Sequence, residues 1–359
     1  AKEALQKKGL DMIGIIDCGS PRVINDIENL IKNNEMRELS GGGILYKDEL
    51  VIIPGMEVES REKNGGQAHY LIYFPTLKQI KNFSQIMEQY ISNINLSSQA
   101  SGLTGKEILK IAVYEGGILI PAHAFTPHKS FYGNCFKTYR EVFSKEEWEK
   151  IPAIELGLSA DSNLADYLSE LEHKTFLSNS DAHSFPKIAR EYNIFKMKKL
   201  NFEEFKMVLN RQNGRKVIHN YGLDPRLGKY HRSYCPDCEK SFAQEEKILK
   251  CPDCGNDKII VGVKDRVLDI KDRIKSNSPL HRPKYTYQVP LLDLPGIGKS
   301  RLNKLLNEFS NEMNILHNIS KAALSKVIGS RLAELIIKAR KGELQIESGG
   351  GGNYGQVEN

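Results

Sequence analysis

Short apolar runs alternate with amphipathic segments over the first 219 residues, and this alternation limits the possible folds more than any other feature of the chain. The apolar runs cover residues 12–16, 50–54, 69–74, 117–122, 152–156, 175–177 and 217–218. Helical periodicity fills several of the intervals, at residues 23–33, 77–93 and 202–210. Such alternation predicts an α/β fold with a mostly parallel sheet, either open or closed into a barrel. Runs without polar alternation suit strands that are buried on both faces.

Residues of the types that bind metals stand at the ends of these runs. They are Asp17, Glu57, His69, His123, Glu155, Asp181 and His183. In a barrel of parallel strands the active site lies at one end of the strands, so side chains delivered there meet. Mixed imidazole and carboxylate ligands suit Zn, Mn or Fe. Each residue alone would be read as a turn, a helix cap or a structural histidine, but the whole set predicts a metal centre.

Four of the six cysteines form two Cys-x-x-Cys pairs, Cys235 with Cys238 and Cys251 with Cys254, separated by twelve residues. This spacing predicts four thiolates around one tetrahedral zinc. A closed four-cysteine site has no open coordination position, so we expect a structural zinc that stabilises a segment too small for its own core. Two redox pairs are the alternative, but that reading lacks a βαβ context and does not explain the duplication.

The C-terminal third carries the signals of a nucleic-acid contact region. Residues 220–345 hold 23 basic and 15 acidic residues, whereas residues 1–219 are balanced at 28 each. Within this third, Gly296, Gly298 and Lys299 precede a helical stretch, and residues 327–331 form a looser copy of the same pattern. Glycines allow a tight turn whose backbone N–H groups can hold a phosphate at the start of the next helix. A simple helix–helix turn is the alternative for both copies.

The order of ligand residues resembles that of the PHP (polymerase and histidinol phosphatase) superfamily over about residues 1–230. The resemblance rests on Gly55-Met56-Glu57, His69, Pro121-Ala122-His123 and Ser180-Asp181-Ala182-His183. It implies a distorted βα barrel with two or three Zn, Mn or Mg ions that hydrolyses phosphoesters. By this resemblance Glu57 bridges metals, while His69, His123, Asp181 and His183 are ligands, and Asp181, His123 and Glu57 are the catalytic set.

Two features depart from that superfamily. Its members open with a strand carrying His-x-His, which this chain does not show. Either the first strand is absent, so that the chain begins in the following helix, or the metal centre is incomplete. Its members also often have Asp-His where this chain has Asp17-Cys18. Either Cys18 substitutes as a ligand or Asp17 serves alone.

A barrel followed by a four-cysteine ribbon and a helix-hairpin-helix segment is similar to the endonuclease Q family. The resemblance includes residues 121–127, 220–225 and 228–231 and the Gly-rich end. It implies a metal-dependent DNA repair endonuclease that cuts 5′ of hypoxanthine, uracil, xanthine or an abasic site in double- or single-stranded DNA. A damaged base hidden in the stack must be flipped out. Phe125, Phe131 and Tyr132 are candidates to stack on it, and plain core packing is the alternative. His128 or Lys129 would stabilise charge at the phosphate or protonate the leaving oxygen, and the alternative is that both are simply exposed loop residues.

These expectations combine into a domain organisation and a set of alternatives. We predict a barrel at 1–230, a zinc ribbon at 231–265, a helical DNA-binding domain at 266–346 and a flexible Gly-rich tail at 347–359.

We expect Gly296, Gly298, Lys299, Lys129 and Tyr132 to contact DNA. The protein is expected in the cytoplasm, associated with the nucleoid. No apolar stretch reaches 18 residues, so no membrane span is expected. A phosphatase of a small phosphomonoester and a non-catalytic DNA-binding protein remain alternatives.

Overall fold

The computed structural model describes residues 1–96, 98–242 and 246–358. Residues 243–245 of the predicted ribbon and residue 359 of the predicted tail lie outside the described residues. The strands are β1 Met12–Ile15, β2 Met36–Glu38, β3 Ile44–Tyr46, β4 Leu50–Glu59, β5 His69–Tyr73, β6 Gln99–Ala100, β7 Ile118–Pro121, β8 Ala153–Glu155, β9 Thr175–Leu177, β10 Tyr192–Lys196, β11 Lys216–Gly222, β12 Tyr234–Cys235, β13 Lys240–Ser241, β14 Lys284–Tyr287, β15 Ile346–Glu347 and β16 Gln356–Val357. The α-helices are α1 Pro21–Lys32, α2 Leu77–Met87, α3 Gly105–Tyr114, α4 Lys145–Glu149, α5 Ser162–Ala165, α6 Phe202–Leu209, α7 Val263–Ile270, α8 Lys299–Phe309, α9 Glu312–His317, α10 Lys321–Ile328 and α11 Ser330–Lys341.

The α/β class is confirmed, but the main sheet is mixed and the expectation of mostly parallel strands is wrong for it. β1 pairs parallel with β4, whereas β4 pairs antiparallel with β5, and β5 antiparallel with β7. The reason lies in the connection between β4 and β5, which spans residues 60–68 and contains no helix. A parallel pair needs a crossover of about a dozen residues or more, so this shorter link turns the chain back on itself.

The strands curl into a half-barrel rather than a flat sheet. β8 and β9 form a parallel pair that continues this curve. β8 lies beside β7 of the main sheet, and β9 lies beside β11. Alternate residues of β4 enter different apolar clusters, Leu50 and Ile52 on one face and Val51 and Ile53 on the other. All ten residues of β4 are buried, as expected for a strand covered on both faces.

The C-terminal third contains two further apolar clusters and two departures from expectation. One small cluster surrounds the paired cysteines, and a larger one lies among α8–α11. Residues 284–287, predicted to belong to the helical DNA-binding domain, form β14 and pair parallel with β11. The tail expected to be flexible forms the hairpin of β15 and β16, because backbone N–H groups of Gly349 and Gly355 bond the carbonyls of Arg226 and Leu227.

Among the described residues, no helix is long and apolar enough to cross a membrane.

Candidate functional site

Three predicted ligands meet at one edge of the sheet: Glu57 on β4, His69 at the start of β5, and His123 after β7. Because β4 and β5 are antiparallel, the end of β4 lies beside the start of β5, with Glu59 opposite His69. The His69 carbonyl in turn accepts the Ala122 N–H at 3.0 Å, which holds the end of β7 next to β5. Antiparallel pairing therefore assembles this cluster, in place of the common carboxyl edge of a parallel sheet.

The ligand atoms of Glu57, His69 and His123 all lie within 4.8 Å of one another. His69 Nδ1 is 3.5 Å from Glu57 Oε1, and His123 Nε2 is 3.9 Å from the same oxygen. The two ring nitrogens are 3.3 Å apart. One carboxylate oxygen and two imidazole nitrogens converge on one point, which is a donor set suited to Zn, Mn or Fe.

Hydrogen bonds behind the rings aim the lone pairs at this point. Thr126 Oγ1 lies 3.1 Å from each of the carbonyls of His123 and His128, so its hydrogen is donated to a carbonyl. The Thr126 oxygen can then only accept the bond at 3.0 Å from His123 Nδ1–H, which leaves His123 Nε2 unprotonated. His69 Nε2 lies 3.2 Å from Glu59 Oε2, which likewise leaves His69 Nδ1 for the cluster.

Glu59 is a further candidate residue of the site that the sequence-based prediction did not include. Its Oε2 also forms an ion pair with Lys129 Nζ, at a distance of 2.7 Å. A carboxylate behind a ligating histidine orients the ring and raises its basicity. The sequence contains a signal for this role of Glu59: Glu57 and Glu59 are two residues apart on one strand, so their side chains lie on the same face of the sheet. Lys129, predicted to contact DNA, is half-exposed and tied to this carboxylate.

Electrostatics differ among the three clustered residues. Burial opposes ionisation of Glu57, but the hydrogen bond and charge of His69 bring the pKa of this carboxyl below its ordinary value. Burial likewise opposes protonation of His69, yet Glu57 and Glu59 raise its pKa above the usual range. Burial dominates at His123 and lowers its pKa. The cluster therefore holds an ionised carboxylate and, at His123, a neutral imidazole, which are the forms that bind metals.

Asp17 and Cys18 are placed differently from each other. Asp17 is exposed and lines, together with Glu57, a cavity of about 160 Å³. Cys18 is fully buried in the apolar core, and burial raises the pKa of its thiol to about 12. Cys18 is therefore not among the clustered ligand residues, whereas Asp17 lines the same cavity as Glu57.

Asp181 and His183 lie outside the three-residue group, on the loop after β9. Asp181 has a φ of 42°, a left-handed backbone that costs about 1–3 kcal/mol for a residue other than glycine. Arg190, which is 6% exposed, holds this loop through Nε to the Ser180 carbonyl at 2.6 Å and Nη2 to the Asp181 carbonyl at 3.0 Å. His183 is largely exposed.

Glu155, at the end of β8, is buried beside the cluster. Its Oε2 accepts the His123 N–H at 3.0 Å, which fixes the backbone that presents His123. Burial raises the pKa of the Glu155 carboxyl well above its ordinary value, and the charges of Asp181 and Glu57 add to this. Glu155 thus supports His123 from behind.

The aromatic residues expected to stack on a flipped base are core residues in this structure. Phe125, Phe131 and Tyr132 are fully buried. The Tyr132 ring stacks on Phe125, and its hydroxyl donates to Glu170 at 2.7 Å. The expectation that Tyr132 contacts DNA is therefore wrong for this conformation, because neither its ring nor its hydroxyl is free. Apolar periodicity could not distinguish a stacking platform from core packing.

The four paired cysteines form the second cluster that could hold a metal ion. The sulfur atoms of Cys235 and Cys254 are 3.7 Å apart, and those of Cys238 and Cys251 are 3.8 Å apart. Four sulfurs around zinc at about 2.3 Å lie roughly 3.8 Å from one another in a tetrahedron, so the spacing fits one zinc. All four cysteines are free of disulfides.

The glycine turns of the helical region leave backbone donors open. Gly296 has a φ of 81°, and Gly298 caps α8 without a side-chain hydrogen bond. A Cβ at Gly298 would meet nothing within 4 Å, and Lys299 beside it is exposed. Gly329, with a φ of 85°, precedes α11 in the same way.

Fold and site together define a mixed α/β protein with two candidate metal sites among the residues that the structure describes. No family model matches the chain. The chain is 42% identical over 357 residues to the uncharacterized protein YqxK of Bacillus subtilis, covering 99% of this chain and 90% of that protein. It is 37% identical over 255 residues to the uncharacterized protein MJ0043 of Methanocaldococcus jannaschii, covering 66% of this chain and 31% of that protein.

Two solved structures are similar over almost the whole chain. The lesion-specific endonuclease PfuEndoQ of Pyrococcus furiosus has a TM-score of 0.84 and 32% identity, with 99% of this chain and 88% of that chain covered. A complex of endonuclease Q with a 27-mer duplex carrying an abasic lesion at the active site has a TM-score of 0.84 and 33% identity, with 99% and 90% covered. The chain belongs to the endonuclease Q family.

Proposed function

We propose that this protein is a metal-dependent DNA repair endonuclease that hydrolyses the phosphodiester on the 5′ side of a deaminated base or an abasic site. The observation that carries the proposal is the Glu57–His69–His123 cluster, in a chain that shares its fold with an endonuclease whose complex holds a duplex with an abasic lesion at the active site. Deaminated bases (hypoxanthine, uracil and xanthine) are included by the family resemblance.

We propose that Glu57, His69 and His123 hold metal, with Asp17, Asp181 and His183 completing a centre of two or three Zn, Mn or Mg ions in a PHP-like barrel. Such ions supply an activated water and stabilise charge on the phosphate. Glu59 keeps the His69 ring oriented, and Thr126 keeps the His123 lone pair directed inward. Lys129, at the rim, would neutralise phosphate charge.

The C-terminal third would bind the DNA on either side of the lesion. We propose that a zinc ribbon at 231–265 and a helix-hairpin-helix domain at 266–346 surround the duplex. The backbone N–H groups of the first turn of α8, which follows the Gly296 turn and the N-cap Gly298 and has no side-chain cap, would contact phosphates together with the Lys299 charge, without reading sequence. The exposed second turn at Gly329 would act in the same way. An enzyme of this kind would act on the nucleoid in the cytoplasm.

The test is a cleavage assay with matched variants. End-labelled duplexes, undamaged or with one deoxyinosine, deoxyuridine or abasic site, are incubated with the protein and Mn²⁺ or Mg²⁺. We expect one cut 5′ of the lesion and at least a hundredfold loss of rate in Asp181→Asn and Glu57→Gln. Asp48→Asn, an exposed carboxylate on the turn between β3 and β4, is the matched control and should cut normally.

Failure of wild type to cut any lesion, with DNA binding retained, would contradict the proposal. Release of phosphate from a small phosphomonoester without DNA cleavage would favour a phosphatase instead.

A further inference from the structure

Phe185 is a large apolar side chain exposed beside the candidate active site. It is 72% exposed and follows Asp181 and His183 by four and two residues. A single exposed apolar residue is ordinary on a protein surface. Its position on the loop that carries two proposed metal ligands is what calls for a functional explanation.

The turn that carries Phe185 is fixed from both sides. Lys8 Nζ donates to the Pro186 carbonyl at 2.9 Å and forms a buried ion pair with Glu312 of α9 at 2.8 Å. Lys187 Nζ lies 3.5 Å from Asp293 Oδ2, just before the first glycine turn. The short helical turn Phe185–Lys187 is therefore held between the N-terminal segment and the helical region, so the ring is presented to solvent on a supported backbone.

The surroundings of this turn are suited to nucleic acid. The ring of Tyr354, which is partly exposed, has Lys229 Nζ at 4.7 Å and Lys187 Nζ at 5.9 Å from its centroid. Two cations next to an exposed aromatic ring form the combination that proteins use to follow a phosphate backbone and stack on bases. Apolar side chains that enter a base stack are also a known means of holding a duplex open.

We propose that Phe185 inserts into the base stack at the lesion and fills the space left by a flipped or missing base. This inference rests on the proposed function and deepens it, since it assigns the residue that makes the lesion nucleotide accessible. The ring would contact neighbouring bases of the duplex, while Lys187 and Lys229 contact phosphates nearby. The three aromatic residues first expected to stack are buried, whereas Phe185 is free to do so.

The test compares paired and unpaired lesions. Wild type, Phe185→Ala and Phe185→Trp are assayed on a duplex with one deoxyinosine, and on the same duplex with the lesion inside a three-nucleotide bubble. Stacking worth about 1–3 kcal/mol per base corresponds to a change of roughly five- to 150-fold. We expect Phe185→Ala to lose about that factor in kcat/KM on the paired duplex, to stay within about twofold on the bubble, and Phe185→Trp to remain active on both.

A fluorescence measurement gives a second readout that is independent of chemistry. With 2-aminopurine 3′ of the lesion, wild type should raise the emission on binding because the base unstacks, and Phe185→Ala should not. Tyr114→Ala, another exposed aromatic side chain, at the end of α3, is the matched control and should behave as wild type. Equal loss on duplex and bubble, or no loss on either, would overturn the inference while leaving the endonuclease proposal intact. If wild type cuts neither substrate, and also fails to cut the same duplex with a deoxyuridine or an abasic site, the proposed function fails and the inference fails with it.

Discussion

Replacement of Arg190 is expected to disable the proposed metal centre although Arg190 would bind no metal. Its guanidinium donates to the carbonyls of Ser180 and Asp181, and its third bond, from Nη1, reaches the Tyr354 hydroxyl at 3.0 Å. Arg190→Met keeps an unbranched stem that reaches about as far as Arg190 Nε and removes every donor. The strained backbone at Asp181 then loses the bonds that hold it.

The magnitude follows from the number of bonds. A hydrogen bond from a charged donor contributes about 1.5–3 kcal/mol net, so the two loop bonds together contribute at least about 3 kcal/mol. If that free energy keeps Asp181 in its binding position, its loss lowers metal affinity about a hundredfold, since each 1.4 kcal/mol is tenfold. Tyr354→Phe removes only the third bond and should lower affinity no more than about fivefold.

The assay is calorimetric titration of Mn²⁺ into protein whose cysteine site is already filled with zinc. Circular dichroism and a thermal melt establish that Arg190→Met is folded, and cleavage of an abasic duplex follows on the same samples. The variant should bind Mn²⁺ weakly and recover part of its activity at high Mn²⁺. Unchanged affinity and rate in a folded Arg190→Met protein would refute the role assigned to this arginine.

Three further predictions concern stability and the second cluster. Cys235→Ser should lower the zinc content by one ion per chain, measured by atomic emission, and unfold the small cluster around the cysteines, because such sites gain their folding energy from the metal. Asp265→Asn should lower the free energy of urea unfolding by about 3–5 kcal/mol, because it removes the negative charge of a buried ion pair in which Arg232 Nη2 lies 3.0 Å from Asp265 Oδ1. Burial raises the pKa of Glu191 from 4.5 to about 8, so the folded state retains a proton that the unfolded state releases within this window. Stability should therefore fall as pH rises from about 5 to 8, and Glu191→Gln should flatten the dependence in apo protein; an equally steep profile in the variant would contradict this assignment.

Secondary structure could be predicted from the sequence where it depends on residues close together in the chain. The apolar runs at 12–16, 50–54 and 175–177 correspond to β1, the first half of β4, and β9. The four cysteines lie together because each pair is separated by only two residues and the pairs by twelve, so local spacing brings the thiols close. Turn glycines before α8 and α11 were likewise visible, since a positive φ favours glycine.

Strand pairing and side-chain burial could not be predicted from such short patterns. β14 forms within the region predicted to be helical because its partner is β11, more than sixty residues earlier in the chain. Tyr132 and Phe185 are both aromatic residues near proposed ligands, yet one is buried and the other exposed. Composition and periodicity are the same for a ring in the core and a ring at the surface, so only tertiary packing distinguishes them.

The residue types in the sequence indicated most of the candidate site, because imidazole, carboxylate and thiolate groups are the side chains that bind metals. Tertiary structure decided how they are used. The antiparallel pairing of β4 with β5 places Glu59 behind His69, and the curled sheet brings His123 within reach of Glu57. These contacts join residues from 10 to 66 positions apart, and their geometry depends on strand direction and register, which short-range patterns do not encode.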